Sequence, residues 1–388
     1  MNKPKKLLFI HDRLPAEGIS GMVIFLRHFK RLRNWEIHLL IPENSFNVDV
    51  VSKYPKNFFV HTFKLRQSWW PPFRENNALL VKIRLYLMRQ SFEKVVKDVK
   101  PDVAISVLYH FYSVALAQLC AKIKLPSILF LHDRWDNKTA DKSAQQIRFQ
   151  YGAEAISKSS YVLSVTEHLV EHYVKDSVSN CEIFPPIPEG YHGISEKGAK
   201  QTIVYAGSVN QYHIQLFDQI LKVLALKNYT LLVITNELAK LNTLTKTHKN
   251  LIAKQALPSN TEAMGFIADN ASAILVNYGL SEADNPDAFY SFPSKFIEFV
   301  HLNIPIIASA PKDSPFHSFL TDHNWPFMLG EPTAESMTKQ LENLNNLMIV
   351  DQCFGIQRQL AAGIFNPDKI QERLESIINQ AIKTIDSE

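Results

Sequence analysis

Phe289-Tyr-Ser-Phe-Pro-Ser-Lys-Phe-Ile-Glu-Phe-Val-His-Leu-Asn-Ile-Pro-Ile-Ile-Ala-Ser309 is the stretch from which the rest of the chain is read. Pro293 suits the opening of a helix, because its fixed φ fits the first turn and its missing N–H has no partner there anyway. Phe296, Phe299 and Val300 follow at i, i+3 and i+4, an apolar stripe that a helix buries against a sheet. Asn303-Ile-Pro305 stops the helix, and Pro-Ile-Ile-Ala-Ser reads as a short buried parallel strand. Lys295 and Glu298 are therefore fixed charges near a helix N-terminus, where a phosphate-bearing ligand is favoured.

Outward from this element, the chain alternates strands and helices in two series. Candidate strands in the first half are Lys6–Asp12, Glu36–Pro42, Phe58–Phe63, Asp102–Leu108, Ser127–Asp133, Tyr161–Thr166 and Cys181–Pro185. Helical patterns such as Val23–Leu32, Ser113–Ile123 and Glu167–Val174 lie between them, which is the βαβ signature of a doubly wound sheet. Pro185-Pro-Ile-Pro-Glu-Gly-Tyr-His-Gly then reads as a linker. A second series follows, at Thr202–Ser208, Thr230–Asn236, Asn250–Leu257, Ala273–Tyr278, Pro305–Ala310 and Phe327–Gly330, and a long helix closes the chain over Asp368–Ile385. The expectation is two Rossmann-like domains, residues 1–190 and 191–388, with a ligand crevice between the carboxyl edges of their sheets.

A length of 388 residues suits two cores. With 46% apolar residues there is still no run of the ~20 needed to span a bilayer. The first apolar run is too short for a signal peptide and ends in His11-Asp12-Arg13, so it reads as a strand. Three scattered cysteines give neither a disulfide framework nor a metal spacing, and the expectation is a reducing cytoplasm. Net charge is +4, but residues 1–190 hold 27 Lys and Arg against 18 Asp and Glu, so the two halves meet different surfaces.

Residues 293–309 resemble the donor-nucleotide element of retaining GT-B glycosyltransferases of the family-4 (group 1) type. There a Pro-Ser-Lys-x-x-Glu-[Tyr/Phe] helix precedes a Pro-[Val/Ile]-[Ile/Leu]-Ala-[Ser/Thr] strand, and the layout of the whole chain agrees. The resemblance implies that Glu298 binds the ribose hydroxyls of a nucleotide sugar, with Pro293 and Ser294 shaping the site and Lys295 facing the diphosphate. It implies that the loop at Gly207-Ser208 approaches that diphosphate. Many relatives carry an Arg directly after this Gly and a Lys a few residues on, whereas this chain reads Gly-Ser-Val-Asn-Gln-Tyr-His. Tyr290 stands where a second Glu is frequent. Lys295 is left as the obvious cation, with His213 or an arginine of the first domain as further candidates.

Two strand ends in the first half repeat a polar triplet, His11-Asp12-Arg13 and His132-Asp133-Arg134, and strand carboxyl ends line the crevice in this fold class. The family often places a His near the donor sugar at the second position, so His132 and Asp133 are the expected catalytic pair, with His11 and Arg13 on the acceptor side. The same carboxylates and arginines are also suited to capping the elements that follow. Gly18 and Gly21 open the helix at Val23, permit close backbone approach, and resemble the Gly-rich loop that shapes the reaction centre. His168-Leu-Val-Glu171-His172 has the spacing of an inverted zinc motif, but it follows a Rossmann-type strand, and no metal or other cofactor is expected beyond the nucleotide sugar as co-substrate.

Residues 63–90 carry six Lys and Arg against Glu75, beside Trp69, Trp70 and Phe73. This composition fits either an interfacial anchor on anionic lipid or a core segment with a solvated basic face. Arg27-His-Phe-Lys-Arg-Leu-Arg33 adds to the basic side. No nucleic-acid-binding module is recognisable. The expected activity is transfer of a sugar from a nucleotide donor to a glycan or lipid-linked acceptor, in cell-surface polysaccharide or glycolipid assembly. A sugar-nucleotide epimerase of the same fold and a non-catalytic nucleotide-sugar-binding subunit are the alternatives.

Overall fold

The computed structural model describes residues 3–19, 21–64, 75–174, 180–189, 201–281, 283–330 and 333–386. The chain divides into two compact units, one of Met1–Pro185 with Ile370–Glu388 and one of Pro186–Lys369.

In the first unit the strands are β1 (Lys5–Ile10), β2 (Trp35–Pro42), β3 (Phe58–Phe63), β4 (Val103–Val107), β5 (Ser127–Leu131), β6 (Tyr161–Ser164) and β7 (Cys181–Ile183). Helices α1 (Met22–Arg31), α2 (Val48–Val51), α3 (Ala78–Val99), α4 (Phe111–Ile123), α5 (Lys142–Lys158) and α6 (Glu167–Tyr173) alternate with them. The sheet runs β3-β2-β1-β4-β5-β6-β7, all parallel. Leu7, Leu8, Phe9 and Ile10 are all buried, as a strand covered on both faces requires. β1 pairs with β2 on one side and β4 on the other, so the winding reverses between β1 and β4. Asn77, Asp141 and Thr166 accept backbone N–H groups at the starts of α3, α5 and α6.

The second unit holds β8 (Thr202–Ala206), β9 (Thr230–Thr235), β10 (Leu251–Gln255), β11 (Ala273–Asn277) and β12 (Ile306–Ser309), in the order β10-β9-β8-β11-β12 and again parallel. Its helices are α7 (Gln211–Leu226), α8 (Asn242–Thr247), α9 (Asn260–Asn270), α10 (Ser294–Phe299), α11 (Pro315–Asp322), α12 (Ala334–Leu344) and α13 (Leu347–Ala362). Here the winding reverses between β8 and β11. The last helix, α14 (Pro367–Asp386), joins the first unit from Ile370 onward. Ile370, Leu374, Ile377, Ile378 and Ala381 form its buried stripe.

Three expectations need correction. Phe327–Gly330 is not a strand, because Met328 makes only an isolated bridge to Ala308. The proline-rich stretch is not a free linker at its start: Pro186, Ile187 and Pro188 are buried, and Glu189 N–H donates to Glu298 Oε2 at 3.1 Å. Arg27 and His28 do not belong to a basic surface. Both are buried in α1, where His28 Nδ1 lies 2.9 Å from Gln371 Oε1 of α14.

Candidate functional site

In the first unit, the candidate residues lie at the carboxyl edge of the sheet. β1 delivers His11, Asp12 and Arg13, and β4 delivers Tyr109 and His110 on the other side of the reversal. Asp12 stands between two imidazoles, with His11 Nδ1 at 2.6 Å from Oδ1 and His110 Nε2 at 2.9 Å from Oδ2. These contacts are short but oblique, since neither Asp12 Oδ1 nor His110 Nε2 meets a partner along the bond axis. Arg13 N–H donates to His11 Nδ1 at 3.2 Å, so in this arrangement Nδ1 is an acceptor. Burial alone raises the carboxyl pKa of Asp12, but the close imidazoles of His11 and His110 outweigh it and hold the group well below the usual carboxylate range. His11 is buried, with its pKa pushed down mainly by desolvation, and its ring stacks with those of Phe9 and Tyr109. The Arg13 side chain is exposed, 3.7 Å from Asp12.

His132, after β5, stacks on Phe25 of α1 at 5.6 Å and meets Phe130 edge-on. Burial, then the neighbouring His11, pushes its pKa down to about 4, so the ring is neutral near pH 7. Asp133 is exposed. The two triplets therefore differ: in the second, the ordering carboxylate is Asp136, which accepts from Tyr173 Oη at 2.9 Å and meets Arg134 at 2.9 Å and His172 Nε2 at 3.0 Å. The zinc spacing thus resolves into a clamp of α6 on the loop after β5. Among the described residues no group of three or more His, Cys, Asp or Glu is placed to hold a metal ion. Gly18 and Gly21 have φ of 74° and 77°, left-handed values that favour glycine, in the turn leading into α1. Trp69 and Trp70 lie outside the described residues.

In the second unit, the candidate residues lie at the carboxyl edge of its own sheet. Gly207 and Ser208 follow β8, and the loop is braced from within. Tyr205 Oη donates to Ser208 C=O at 2.5 Å and lies 2.8 Å from His213 Nε2, while His213 Nδ1 accepts from Asn210 N–H at 3.1 Å. His213 is buried, and desolvation pushes its pKa down to about 4, so it adds no cation at neutral pH. Asn277, at the end of β11, accepts from Gly279 N–H and Ser309 Oγ through Oδ1. Tyr278 Oη contacts Ser291 Oγ, which ties the β11 exit to the segment before α10. Pro293 is the N-cap of α10, one position earlier than a first-turn proline, and is buried. Ser294 and Lys295 are exposed, Tyr290 is half-buried, and Glu298 is buried. Phe296 packs on Phe316 and Trp325, fixing the face of α10 that carries Glu298.

Two functional candidates escaped the sequence reading. His110 lies beside Asp12 only because β4 pairs with β1, which brings the exits of the two strands together. Lys240, beyond β9, reaches the Gly207 loop and places Nζ 2.7 Å from Val209 C=O. No local pattern marks it.

No family model matches the chain, and no curated protein matches it. Solved structures do. A glycosyltransferase from Rickettsia africae superposes with a TM-score of 0.69 at 11% identity, covering 98% of this chain and 100% of its own. The lipopolysaccharide outer core galactosyltransferase WaaB, in its apo form, gives 0.62 at 14% identity, over 97% and 99%. A provisionally assigned UDP-N-acetylglucosamine 2-epimerase from Listeria monocytogenes gives 0.60 at 11% identity, over 98% and 97%. Likeness at this identity establishes the fold, which is GT-B: two Rossmann-like units covering essentially the whole chain.

Proposed function

We propose that this protein is a glycosyltransferase that binds a nucleoside-diphosphate sugar in its second unit and a glycan or lipid-linked acceptor in its first. The observation that carries this reading is Glu298, a buried carboxylate on a short helix after β11 of a GT-B second unit, in the sequence Pro-Ser-Lys-x-x-Glu. Glu298 would accept the ribose hydroxyls, and Lys295 would face the diphosphate.

By resemblance the transfer retains anomeric configuration and needs no metal. The bond from the anomeric carbon to the phosphate oxygen breaks, the acceptor oxygen forms the new bond on the same face, and its proton passes to the leaving phosphate. The chain then acts by positioning and by neutralising the leaving group. His132, neutral and stacked, is suited to contact the sugar, and the Asp12 cluster to orient the acceptor. Assembly of surface polysaccharide or glycolipid is the proposed setting, with an anionic membrane as an additional contact of the first unit. An epimerase is the second reading, favoured by the three imidazoles of His11, His110 and His132 near one sheet edge, since epimerisation needs proton-transfer groups at the sugar. Free nucleotide released from a nucleotide sugar without acceptor would favour it.

The test is calorimetric titration of UDP, GDP, ADP, CMP and dTDP against wild type and Glu298→Ala without added metal. One nucleotide is expected to bind at micromolar Kd, weakened about tenfold by the substitution, or about 1.4 kcal/mol. Glu298→Gln, which still accepts from Glu189 N–H, separates ligand loss from unfolding. Failure of every nucleotide to bind sinks the proposal.

A further inference from the structure

The loop from Gly207 to Asn210 already has most of its peptide groups engaged. Gly207 N–H donates to Ile234 C=O at 3.0 Å, and Asn210 N–H to His213. Val209 N–H donates to Glu237 Oε2 at 2.5 Å, while Val209 C=O accepts from Lys240 Nζ at 2.7 Å. Glu237 Oε1 and Lys240 Nζ are themselves 2.5 Å apart. A carboxylate thus occupies an amide just before the 16-residue helix α7, where the backbone favours an anion. A lysine from beyond the next strand neutralises it.

A second feature stands beside the same turn. Asn277 is 6% exposed, and its Nδ2 is buried without an acceptor. Its amide orientation is fixed, because Oδ1 must face the Gly279 N–H at 3.1 Å. β11 pairs with β8 through Ala273–Ile203 and Ile274–Val204, which sets the exits of the two strands, at Asn277 and Gly207, side by side. A donor that the fold leaves unmatched therefore adjoins the loop that the carboxylate occupies.

We propose that Glu237 is an internal stand-in for the ligand's phosphate: the diphosphate displaces its carboxylate from Val209 N–H, and Lys240 transfers from Glu237 to the phosphate, with Asn277 Nδ2 donating to the same group. This rests on the nucleoside-diphosphate reading above. It also supplies, from the loop after β9, the cation that the Gly207 loop lacks. The exchange is chemically even, since one anion replaces another on the same amide and the same ammonium. Glu237 and Lys240 are both part-exposed, so neither is locked by packing. Glu237 cannot keep its place beside a diphosphate, because two anions at contact repel.

The substitutions Glu237→Gln and Lys240→Met are predicted to act with opposite sign. Calorimetry would compare UDP, or whichever diphosphate binds wild type, with the matching monophosphate and nucleoside, at low and high salt. Glu237→Gln keeps an acceptor for Val209 N–H but removes the competing charge, so diphosphate affinity should rise about threefold or more. Lys240→Met should lower it about tenfold, as loss of a charge-assisted bond does. Nucleoside affinity should not move, and both effects should shrink in high salt. If both variants bind diphosphate like wild type while Glu298→Ala weakens it, the exchange is refuted and the donor reading stands. If no nucleotide binds wild type or either variant, both fall. Thermal melts of each variant identify any that is unfolded, and Lys240→Arg, which keeps the charge, should then bind within about threefold of wild type if the ammonium acts as a cation.

Discussion

Asp12 faces two histidines that differ in exposure, and this asymmetry sets their roles. His11 is buried among Phe9 and Tyr109, while His110 keeps part of its ring open at the N-cap of α4. One carboxylate thus orients an inner ring that packs and an outer ring that can touch a ligand. Asp12→Asn removes the charge that orients both. Transfer should fall by about tenfold or more in kcat/KM for the acceptor, within the range for a positioned polar group, while nucleoside-diphosphate affinity stays unchanged in calorimetry. An equal loss of nucleotide affinity would assign Asp12 to donor binding instead. Sequence marked this carboxylate but not its second partner. His11 and Asp12 are adjacent in the chain, whereas His110 reaches Asp12 only because β4 pairs with β1, a long-range choice that no local pattern encodes.

At the scale of elements, the central strands β4, β5 and β11 were legible because each is a largely apolar run buried on both faces. The edge strand β3 also spans Phe58–Phe63 in sequence and structure alike, although only Phe63 in it is buried. Strand ends were less so, and the predicted ends of β1 and β5 each took in polar residues that belong to the following loop. Phe327–Gly330 has a strand's composition, yet makes a single bridge, since pairing depends on the neighbour offered. α3 shows a further limit. Its buried stripe of Val81, Leu85, Met88, Phe92, Val96 and Val99 is regular, but Leu79, Tyr86 and Leu87 are exposed on other faces, beside Lys82. Apolar groups with cations on an open helix face suit an anionic interface, each cation near the surface contributing about 1 kcal/mol. Wild type is therefore expected to sediment with anionic vesicles at low salt. Leu79→Ser with Leu87→Ser should lower the bound fraction several-fold, a scale set by ~0.8 kcal/mol per inserted CH₂. Undiminished sedimentation of this variant would remove α3 from the membrane contact.

Across the whole molecule, both units hold neutral histidines, and this determines how stability responds to acid. His28 and the half-buried His132 lie in the first unit and the buried His213 in the second, and each is pushed down to about 4 chiefly by desolvation. His28 shows why. Gln371 Nε2 donates to Glu375, so its Oε1 faces His28 Nδ1–H, while His28 Nε2 is buried with no partner for a proton. In the unfolded chain these rings titrate near 6.5. Below that pH the unfolded state binds protons that the folded state does not, so stability is lost as pH falls from about 6.5 to about 4 and the loss levels off below. Each such histidine contributes a slope of at most about 1.4 kcal/mol per pH unit within that window. Asp12 and Asp136 act elsewhere, since their lowered values withdraw stability only at pH below the usual carboxylate range. Urea unfolding followed from pH 8 to 4 should thus be flat above about 7 and fall steeply between 6.5 and 4. Gln371→Leu should add a loss of about 1–3 kcal/mol at pH 7.5, the cost of leaving His28 Nδ1–H unpaired. A flat profile from pH 7 to 4.5 would mean that these rings charge freely in the folded state, and the burial that couples α14 to α1 through His28 would have to be abandoned.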